Sequence, residues 1–304
     1  NSYDIGFKIY DIDEVIVLPN IMAHVGADAA AVLCKEKMYK TGINEIAIDI
    51  GTNAEILLNC SGKVFVTSTA AGPAFEGKGI HSGMRAAPGA INSVKISRVN
   101  GNIILGMLDD GKAENPRGLC GSGLIDAISE LMKARLLKKD GYLLTREEAL
   151  RQNVNINLCE HLKSDDKDGN CFILSKENNI VITQKDIRNV QLAKGAIQAG
   201  CEILLKKAGI GLNDINSIKI AGVFGKYIHV SQAMNFGLFP KYPEKLEIVG
   251  NAAGDGAAMA LFEDGFIDEM EKQVKKVHHV ELAGEKDFQK KFMNAMELKE
   301  WYYN

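Results

Sequence analysis

The sequence lacks any run of about 20 apolar residues, so it offers no membrane-spanning helix. It also lacks a basic cluster: 36 lysines and arginines stand against 39 acidic residues, for a formal net charge of -3. This balance argues against a general nucleic-acid-binding protein. No segment repeats at a fixed period, and no low-complexity linker divides the chain. The 304 residues, 46% hydrophobic and 25% charged, are enough for one large globular domain or two lobes.

Close pairs of cysteines are also absent. No C-x-x-C pair or local cluster occurs, so a zinc or iron–sulfur site built from neighbouring cysteines is not expected. Scattered thiols are typical of a reducing compartment, which favours a cytoplasmic location. The first residues resemble neither a signal peptide nor a natural start with Met, so we expect a fragment of a longer protein. The cysteines are Cys34, Cys60, Cys120, Cys159, Cys171 and Cys201.

The most informative stretch is EIAIDIGTNAEILLN, residues 45–59. Two apolar runs flank a short polar turn, which predicts a strand, a tight turn and a second strand. Asp49 ends the first strand and could hold Mg²⁺ through water, as a hard oxygen ligand. The turn of Gly51, Thr52 and Asn53 offers backbone N–H groups with little side-chain bulk, which suits an anion. The alternative is an ordinary hairpin without a ligand.

The surrounding pattern predicts a sheet with flanking helices. A third strand, Lys63–Ser68, would complete an antiparallel meander. An Ala-rich helix over Gly26–Lys40 would precede the meander, after a short strand at Val15–Leu18. Further hairpins are expected at Val94–Leu105 and at Cys171–Ile182. The tail predicts a helix, a strand and a helix at Phe266–Lys275, Val277–Leu282 and Phe288–Leu298.

Three further stretches carry candidate binding residues. Gly121 and Ser122 lie in a glycine-rich turn before an amphipathic helix, which is either an anion site or a close helix–strand crossing. A long helix, Thr183–Lys207, carries Lys194, which either reaches a phosphate or ribose or lies on a solvated face. The strand Ser217–Ala221 runs into Gly222 and Gly225, which would bring a backbone close to a flat or charged ligand. The last small-residue helix lies within Val249–Leu261, with Asp255 in its first turn.

The order of these pieces resembles the second lobe of the sugar kinase, actin and heat-shock chaperone ATPase superfamily. The strings LPNIMAHVGAD, IDIGTNAEI, STAAGPAFEG, GLCGSGLIDA, QLAKGAI and AGVFGKY occur in that order. Together they look like the C-terminal domain of the reductive activators of corrinoid proteins. The resemblance is strongest between Leu18 and Leu261 and covers nearly the whole chain.

The resemblance implies an α/β fold: a ribonuclease-H-like lobe with a mixed sheet and flanking helices. It implies one ATPase-type domain over residues 1–304, with a connecting strand and helix at 1–42, a nucleotide-binding lobe with insertions at 43–262, and a C-terminal helix–strand–helix unit at 263–304. Family members carry a [2Fe-2S] domain and a first ATPase lobe upstream. We expect both to be missing here, because the chain has neither cluster cysteines nor a second D-x-G-T string.

The function implied by the resemblance is ATP-dependent reduction of cob(II)alamin to cob(I)alamin in the corrinoid protein of a methyltransferase system. Asp49 and Glu55 would be the catalytic residues, although alternation along the strand could carry Glu55 to the other face. Mg·ATP would lie against Asp49 and the turn, with Gly222, Gly225 and Lys194 toward the adenosine. A homodimer is compatible with the resemblance, and the fragment alone is expected to bind nucleotide weakly.

Two other functions stay open. A small-molecule kinase of the same superfamily would need a substrate pocket between lobes, whereas a non-enzymatic interaction module would keep the nucleotide loops only as structure. The Gly/Ala/Pro-rich loop Thr69–Gly89 has two interpretations as well. It is a partner surface, with Phe75, Met84 and Arg85 in contact, or it closes the nucleotide cleft with Glu76 near the γ-phosphate. An exposed Phe75 would favour the first interpretation and a buried one the second.

Overall fold

The computed structural model describes residues 16–108, 115–165, 167–222 and 228–302. Alternating apolar residues form twelve strands among these residues, and longer amphipathic stretches form nine α-helices. The strands are β1 Glu45–Ile50, β2 Ala54–Cys60, β3 Lys63–Thr69, β4 Ala90–Ile96, β5 Ile103–Met107, β6 Gly118–Leu119, β7 Leu162–Asp165, β8 Gly169–Ser175, β9 Ile180–Thr183, β10 Ser217–Ala221, β11 Leu246–Gly250 and β12 His278–His279. The helices are α1 Ala27–Lys35, α2 Gly121–Lys133, α3 Arg146–Arg151, α4 Ile156–Cys159, α5 Gln184–Ala208, α6 Val230–Asn235, α7 Ala252–Phe262, α8 Phe266–Val274 and α9 Phe288–Ala295.

The main sheet has six strands in the order β11-β10-β1-β2-β3-β12. β1, β2 and β3 form the antiparallel meander expected from the sequence. β10 then pairs in parallel with β1, β11 with β10, and β12 with β3. The sheet is therefore mixed, and Asp49 lies on the same sheet as the strand that ends before Gly222, as predicted.

Helices cover both faces of this sheet, because its strands carry apolar residues on both sides. On one face, α1 and α7 pack over a cluster that includes Ala47, Leu57 and Val66. These two helices approach so closely that a Cβ on Gly256 would lie 2.6 Å from the Ala31 carbonyl oxygen. On the other face, α5 lies against β2, where a Cβ on Gly200 would meet Ile56 Cδ1 at 2.6 Å.

Helix α5 begins at its predicted N-cap, Thr183, and runs to Ala208, one residue beyond the predicted end at Lys207. Thr183 and Asp186 form a reciprocal capping box: Asp186 N–H donates to Thr183 Oγ1 and Thr183 N–H donates to an Asp186 carboxylate oxygen. At the other end Gly209 takes the left-handed conformation, with φ of 72°. The helix of 25 residues is the longest among the described residues, and its caps fix it across the sheet.

Two three-stranded sheets, β5-β4-β6 and β7-β8-β9, lie outside the main sheet. β6 pairs only with the first two residues of β4, which leaves the N–H groups of Val94 and Ile96 without a strand partner on that side. Asp126 and Glu130, one turn apart on α2, accept those two N–H groups at 3.2 and 3.0 Å. Their carboxylates thus take the place of a neighbouring strand and hold α2 onto the sheet.

Several boundaries differ from the predictions. The helix expected to reach Lys40 ends at Lys35, because Lys37 adopts a left-handed conformation (φ 50°) and a short 3₁₀ turn follows. The strand expected at residues 277–282 is reduced to β12, and the last helix ends at Ala295 instead of residue 298. No strand forms at residues 16–18, while Val15 lies outside the described residues. The polar segment 140–168, from which no structure was predicted, contains α3, α4 and β7.

Within the described ranges, no helix combines the length and the apolar character needed to cross a membrane. All six cysteines are free thiols, five of them buried, as their scattered spacing suggested.

Candidate functional site

Asp49 and Glu55 lie directly opposite each other on β1 and β2. Directly opposed residues of an antiparallel pair project from the same face, so the two carboxylates are neighbours. The expectation that alternation could carry Glu55 to the other face was wrong. Across the next strand pair, Ser68 lies opposite Glu55 and donates a hydrogen bond from Oγ to Glu55 Oε1 over 3.0 Å.

A third carboxylate, Asp28 in the first turn of α1, adds negative charge to this pair. Burial is the main cause that raises the pKa of Asp49 to about 6, and the Asp28 charge adds to it. Burial also raises the pKa of Glu55 to about 7, helped by Asp28 and Asp49 and opposed by the Ser68 hydrogen bond. Asp28 was not predicted as a site residue, although an acidic residue in the first turn of a helix was a usable signal.

The turn between the two strands exposes Thr52 and Asn53. Gly51 N–H donates to the Asn53 carbonyl at 2.9 Å, so this predicted anion donor is used to close the turn. The N–H groups of Thr52 and Asn53 donate to no residue that the structure describes, and they remain available to an anion. The geometry therefore brings two open backbone donors next to two carboxylates.

Gly222 joins the same site from β10. Its φ of 110° is a conformation that L side chains rarely adopt, and a Cβ there would lie 2.6 Å from the Ile50 carbonyl oxygen and 3.4 Å from Asp49 Oδ1. Its N–H donates to the Gly250 carbonyl at 2.9 Å, which ties the end of β10 to the end of β11. Gly222 thus meets Asp49 as the sequence suggested, whereas Gly225 lies outside the described residues.

The loop after β3 folds inward onto the turn. Phe75 is 2% exposed, which favours the cleft-closing interpretation and contradicts the use of Phe75 as a partner surface. Its neighbour Glu76 accepts a hydrogen bond from Thr52 Oγ1 at 2.7 Å, and this bond is the main cause that lowers the pKa of Glu76. The Gly72 N–H donates to the Thr52 carbonyl at 2.8 Å. Arg85, further along the loop, is exposed.

Gly121 and Ser122 are not arranged as an anion site. A Cβ on Gly121 would lie 2.0 Å from the Phe75 carbonyl oxygen, so the start of α2 is packed against backbone. Ser122 is 2% exposed, and its hydroxyl contacts Cys120 Sγ at 3.3 Å. The alternative considered for this glycine turn, a close crossing of helix and backbone, is what the structure shows.

Lys194 is also placed away from an exposed ligand-binding surface. It is 1% exposed, and its ammonium donates to the carbonyls of Ala295 and Glu297 and to Gln198 Oε1. One turn earlier, Gln191 Nε2 donates to the Met296 carbonyl at 2.9 Å. The prediction that Lys194 faces ribose or phosphate was wrong, because its donors hold the chain after α9 onto α5.

The carboxylates and the turn fit a Mg²⁺ ion bound together with phosphate. Two hard oxygen ligands face each other, and a divalent cation would offset both the burial and the nearby acidic charge that raise their pKa values. Within the described part of the chain, no group of three or more His, Cys, Asp or Glu residues is arranged to hold a metal ion by itself. Mg²⁺ usually keeps several waters and takes its other ligands from one or two carboxylates and from substrate phosphates, so a pair of carboxylates is enough for it.

Comparison with known proteins points to one family. A family model described as the C-terminal domain of RACo, the ASKHA domain, matches residues 44–303. The corrinoid activation enzyme RamQ of Eubacterium limosum is 37% identical over 294 residues, which cover 92% of this chain and 46% of RamQ. The [Co(II) methylated amine-specific corrinoid protein] reductase of Methanosarcina barkeri is 28% identical over 315 residues, covering 97% of this chain and 53% of the reductase.

A solved structure shows the same similarity in three dimensions. The structure of a reductive activator for corrinoid,iron-sulfur protein matches with a TM-score of 0.83 and 33% sequence identity. The match covers 94% of this chain and 44% of that chain. The chain thus spans about half the length of the relatives that it matches.

Proposed function

Because this chain belongs to the family of RACo C-terminal ASKHA domains, we propose that it is the nucleotide-binding part of an ATP-dependent reductive activator. The activator would return cob(II)alamin to cob(I)alamin in the corrinoid protein of a methyltransferase system. The names of two relatives, a corrinoid activation enzyme and a Co(II) corrinoid protein reductase, support this function. The relatives are about twice as long as this chain. The reductive activity is therefore proposed for the full-length protein and not for this chain alone.

The observation that carries the proposal is the meeting of Asp49, Glu55 and Gly222 at one end of the neighbouring strands β10, β1 and β2. Asp49 and Glu55 supply paired carboxylates, and Gly222 leaves space beside Asp49 where any side chain would intrude. The open N–H groups of Thr52 and Asn53 complete a place for phosphate oxygens. A hairpin without a ligand would not need two half-buried acids facing each other.

Each residue has a separate task in the proposal. Asp49 and Glu55 would hold Mg²⁺, directly or through water, and the Thr52 and Asn53 N–H groups would orient the phosphates. When bound, Mg²⁺ neutralises phosphate charge and polarises the phosphoryl group. Glu55, with a pKa of about 7, can accept a proton from water near neutral pH, while Asp49 with its lower pKa remains the more ionised of the two.

The link between the nucleotide and the corrinoid protein would run through Thr52 and Glu76. Their hydrogen bond joins the phosphate turn to the loop of residues 69–89, which carries the exposed Arg85. A phosphate that engages the turn would compete for Thr52 and shift the loop, changing the affinity for the partner. Arg85 is the proposed partner contact on this loop, because Phe75 is buried.

The test uses the full-length protein with its corrinoid partner, a chemical reductant and Mg·ATP. Formation of cob(I)alamin is followed by absorbance, and phosphate release is measured in parallel. We expect Asp49→Asn and Glu55→Gln to lower both rates by about 100-fold or more, while Glu160→Gln on an exposed position leaves them unchanged. Full rates in both site variants would refute the assignment. Phosphate transfer to a sugar panel, without cobalt reduction, would support a kinase instead.

A second measurement tests Arg85 as the partner contact. Arg85→Ala should weaken binding of the corrinoid protein while ATP turnover without the partner stays normal. Glu76→Gln should keep partner binding but reduce its dependence on nucleotide, because the link to Thr52 is weakened. Equal partner binding by the wild type and Arg85→Ala would contradict the proposed contact.

A further inference from the structure

A polar pocket of about 380 Å³ lies away from the carboxylate site, between the β4–β5 turn and the ends of α2 and α3. Two arginines from separate elements line it: Arg98 from the turn and Arg135 from the end of α2. Gln152 and Asn153 also line the pocket, and Val154 and Leu158 add apolar contact. The pocket therefore combines cationic, amide and apolar groups.

The four polar side chains named above are exposed and pair with none of the other residues that the structure describes. Within the part of the chain that the structure describes, the side chains of Arg98 and Arg135 form no hydrogen bond or ion pair. The side-chain amides of Gln152 and Asn153 likewise have no hydrogen-bond partner among the described residues. Two planar guanidinium groups with free N–H donors suit bidentate binding of carboxylate or phosphate oxygens.

The wall that carries Arg98 is held in place by two amide side chains. Asn155 Nδ2 donates to the Val99 carbonyl at 2.8 Å, and Asn157 Nδ2 donates to the Asn100 carbonyl at 3.0 Å. Both bonds pin the β4–β5 turn to the start of α4. The pocket is thus shaped before any ligand arrives, which reduces the ordering cost of binding.

Arg135 occupies a backbone position where a long side chain is unusual. Helix α2 ends in a Schellman turn: Arg135 N–H donates to the Met132 carbonyl and Leu136 N–H to the Leu131 carbonyl. The residue at this position takes a left-handed conformation, here with φ of 62°, and glycine is its usual occupant. Asn153 takes the same position after α3, with φ of 56°. Arg135 thus places a cationic side chain at a position where the backbone conformation alone would favour glycine.

From these observations we propose that the Arg98–Arg135 pocket binds a small oxyanion carrying two or more negative charges, either a phosphate ester or a polycarboxylate. The guanidinium groups of Arg98 and Arg135 pair with its oxygens, and the amides of Gln152 and Asn153 donate to the same ligand. The apolar wall contacts its carbon skeleton. This site is independent of the nucleotide function proposed above, because it shares no residue with the carboxylate site.

The probes are pyrophosphate and citrate, each compared with sodium chloride at the same ionic strength. Binding is measured by calorimetry, and its location by hydrogen exchange over residues 97–102 and 150–158. We expect at least one anion to protect both segments. Protection by pyrophosphate alone supports a phosphate ester, and protection by citrate alone supports a polycarboxylate. Absence of protection by both anions overturns the proposal.

The variants are Arg98→Gln, Arg135→Gly and the double variant, with Arg146→Gln on α3 as the control outside the pocket. Each pocket variant should bind the anion about tenfold more weakly or worse, and the control should bind normally. Arg135→Gly should also keep or raise the Tm without anion, because glycine suits the turn. A lower Tm with unchanged anion binding would mean that Arg135 is only a helix-end cation, and it would overturn the proposal.

Discussion

Asp49 and Glu55 are direct partners in the β1–β2 register, so the protein places two carboxylates face to face near the turn that joins the two central strands of its main sheet. Neither carboxylate has a cationic partner among the described residues, and the pKa values of both are raised. The pair is therefore a source of instability in the protein without ligand. A cation or a proton relieves it, and the first two predictions follow from this relationship.

The pH dependence of stability should change when the pair is neutralised. In the folded protein both carboxyls keep their protons to higher pH than in the unfolded chain. Their contribution to the free energy of unfolding is therefore fully present below about pH 4 and is lost as pH rises to about 7. Without Mg²⁺, the free energy of unfolding of Asp49→Asn relative to the wild type should increase by on the order of 2 kcal/mol from pH 5 to pH 8. Urea unfolding at both pH values checks this, and parallel pH curves would contradict it.

Mg²⁺ should stabilise the protein more at pH 8 than at pH 5. Binding requires ionised carboxylates, so protons compete with the cation in the range set by the pKa values of about 6 and 7. At a tenfold excess over Kd, the gain at pH 8 should be about 1.4 kcal/mol. Thermal unfolding with and without MgCl₂ measures it. Glu55→Gln should lose most of the gain, whereas the exposed control Glu160→Gln should keep it.

Gly222→Ala should be more damaging than an alanine at another left-handed glycine. Its new Cβ would lie 2.6 Å from the Ile50 carbonyl oxygen, so both strain and a clash arise. Gly209 also has a positive φ, but a Cβ there meets nothing within 4 Å. We expect a loss of about 2–4 kcal/mol for Gly222→Ala and about 1 kcal/mol for Gly209→Ala. Chemical unfolding of both variants tests this, and equal losses would argue against the close approach of β10 to Asp49.

Gly121→Ala should destabilise the protein although alanine favours helices. Helix propensity alone predicts a gain of about 1 kcal/mol, but the new methyl group would lie 2.0 Å from the Phe75 carbonyl oxygen. A net loss of at least about 2 kcal/mol is expected in urea unfolding. Ser122→Ala should cost little and leave nucleotide affinity unchanged, because its hydroxyl contacts only Cys120 among the bonds described. Weaker ATP binding by Ser122→Ala would restore the anion-site interpretation.

Lys194→Met should loosen the C-terminal segment and leave nucleotide binding intact. The change removes the donor to the carbonyls of Ala295 and Glu297, so hydrogen exchange over residues 288–301 should speed up. The exposed control Lys290→Met should not have this effect. Reduced ATP affinity with a protected tail would contradict the structural role of Lys194.

The same lysine gives a second, pH-dependent expectation. Burial lowers the pKa of Lys194 to about 7 from its usual 10.5, so between these values the unfolded chain holds a proton that the folded protein releases. The contribution of Lys194 to the free energy of unfolding therefore rises with pH between about 7 and 10.5. Lys194→Met should lack the rise when unfolding is measured at pH 7 and pH 9.

The sequence predicts the local parts of this fold well, because they depend on residues close together in the chain. The β1–β3 meander follows from alternation and short turns. The start of helix α5 follows from Thr183, which caps it through a local hydrogen bond. The strand before Gly222 is likewise a short apolar run with a glycine stop.

The long-range parts could not be predicted from spacing. A glycine turn before a helix has the same pattern whether a phosphate or the Phe75 carbonyl lies against it, so Gly121 alone does not distinguish them. Lys194 donates a hydrogen bond to the Ala295 carbonyl, 101 positions further along the chain, and no pattern in the residues around Lys194 identifies that partner. Asp28 comes near Asp49 only because α1 packs on the face of the sheet where Asp49 lies.

The parallel pairing of β1 with β10 has a consequence for synthesis on the ribosome. Asn44 and Asn216, which meet at the start of this pairing, are 172 positions apart in the sequence. At about 5–20 residues per second, β1 leaves the ribosome on the order of ten seconds or more before β10 exists. During that interval the β1 edge of the finished meander stays open, which makes it a template for wrong pairing. The nascent chain is therefore most exposed to aggregation before residue 217, and a chaperone that shields this edge should raise the yield of folded protein.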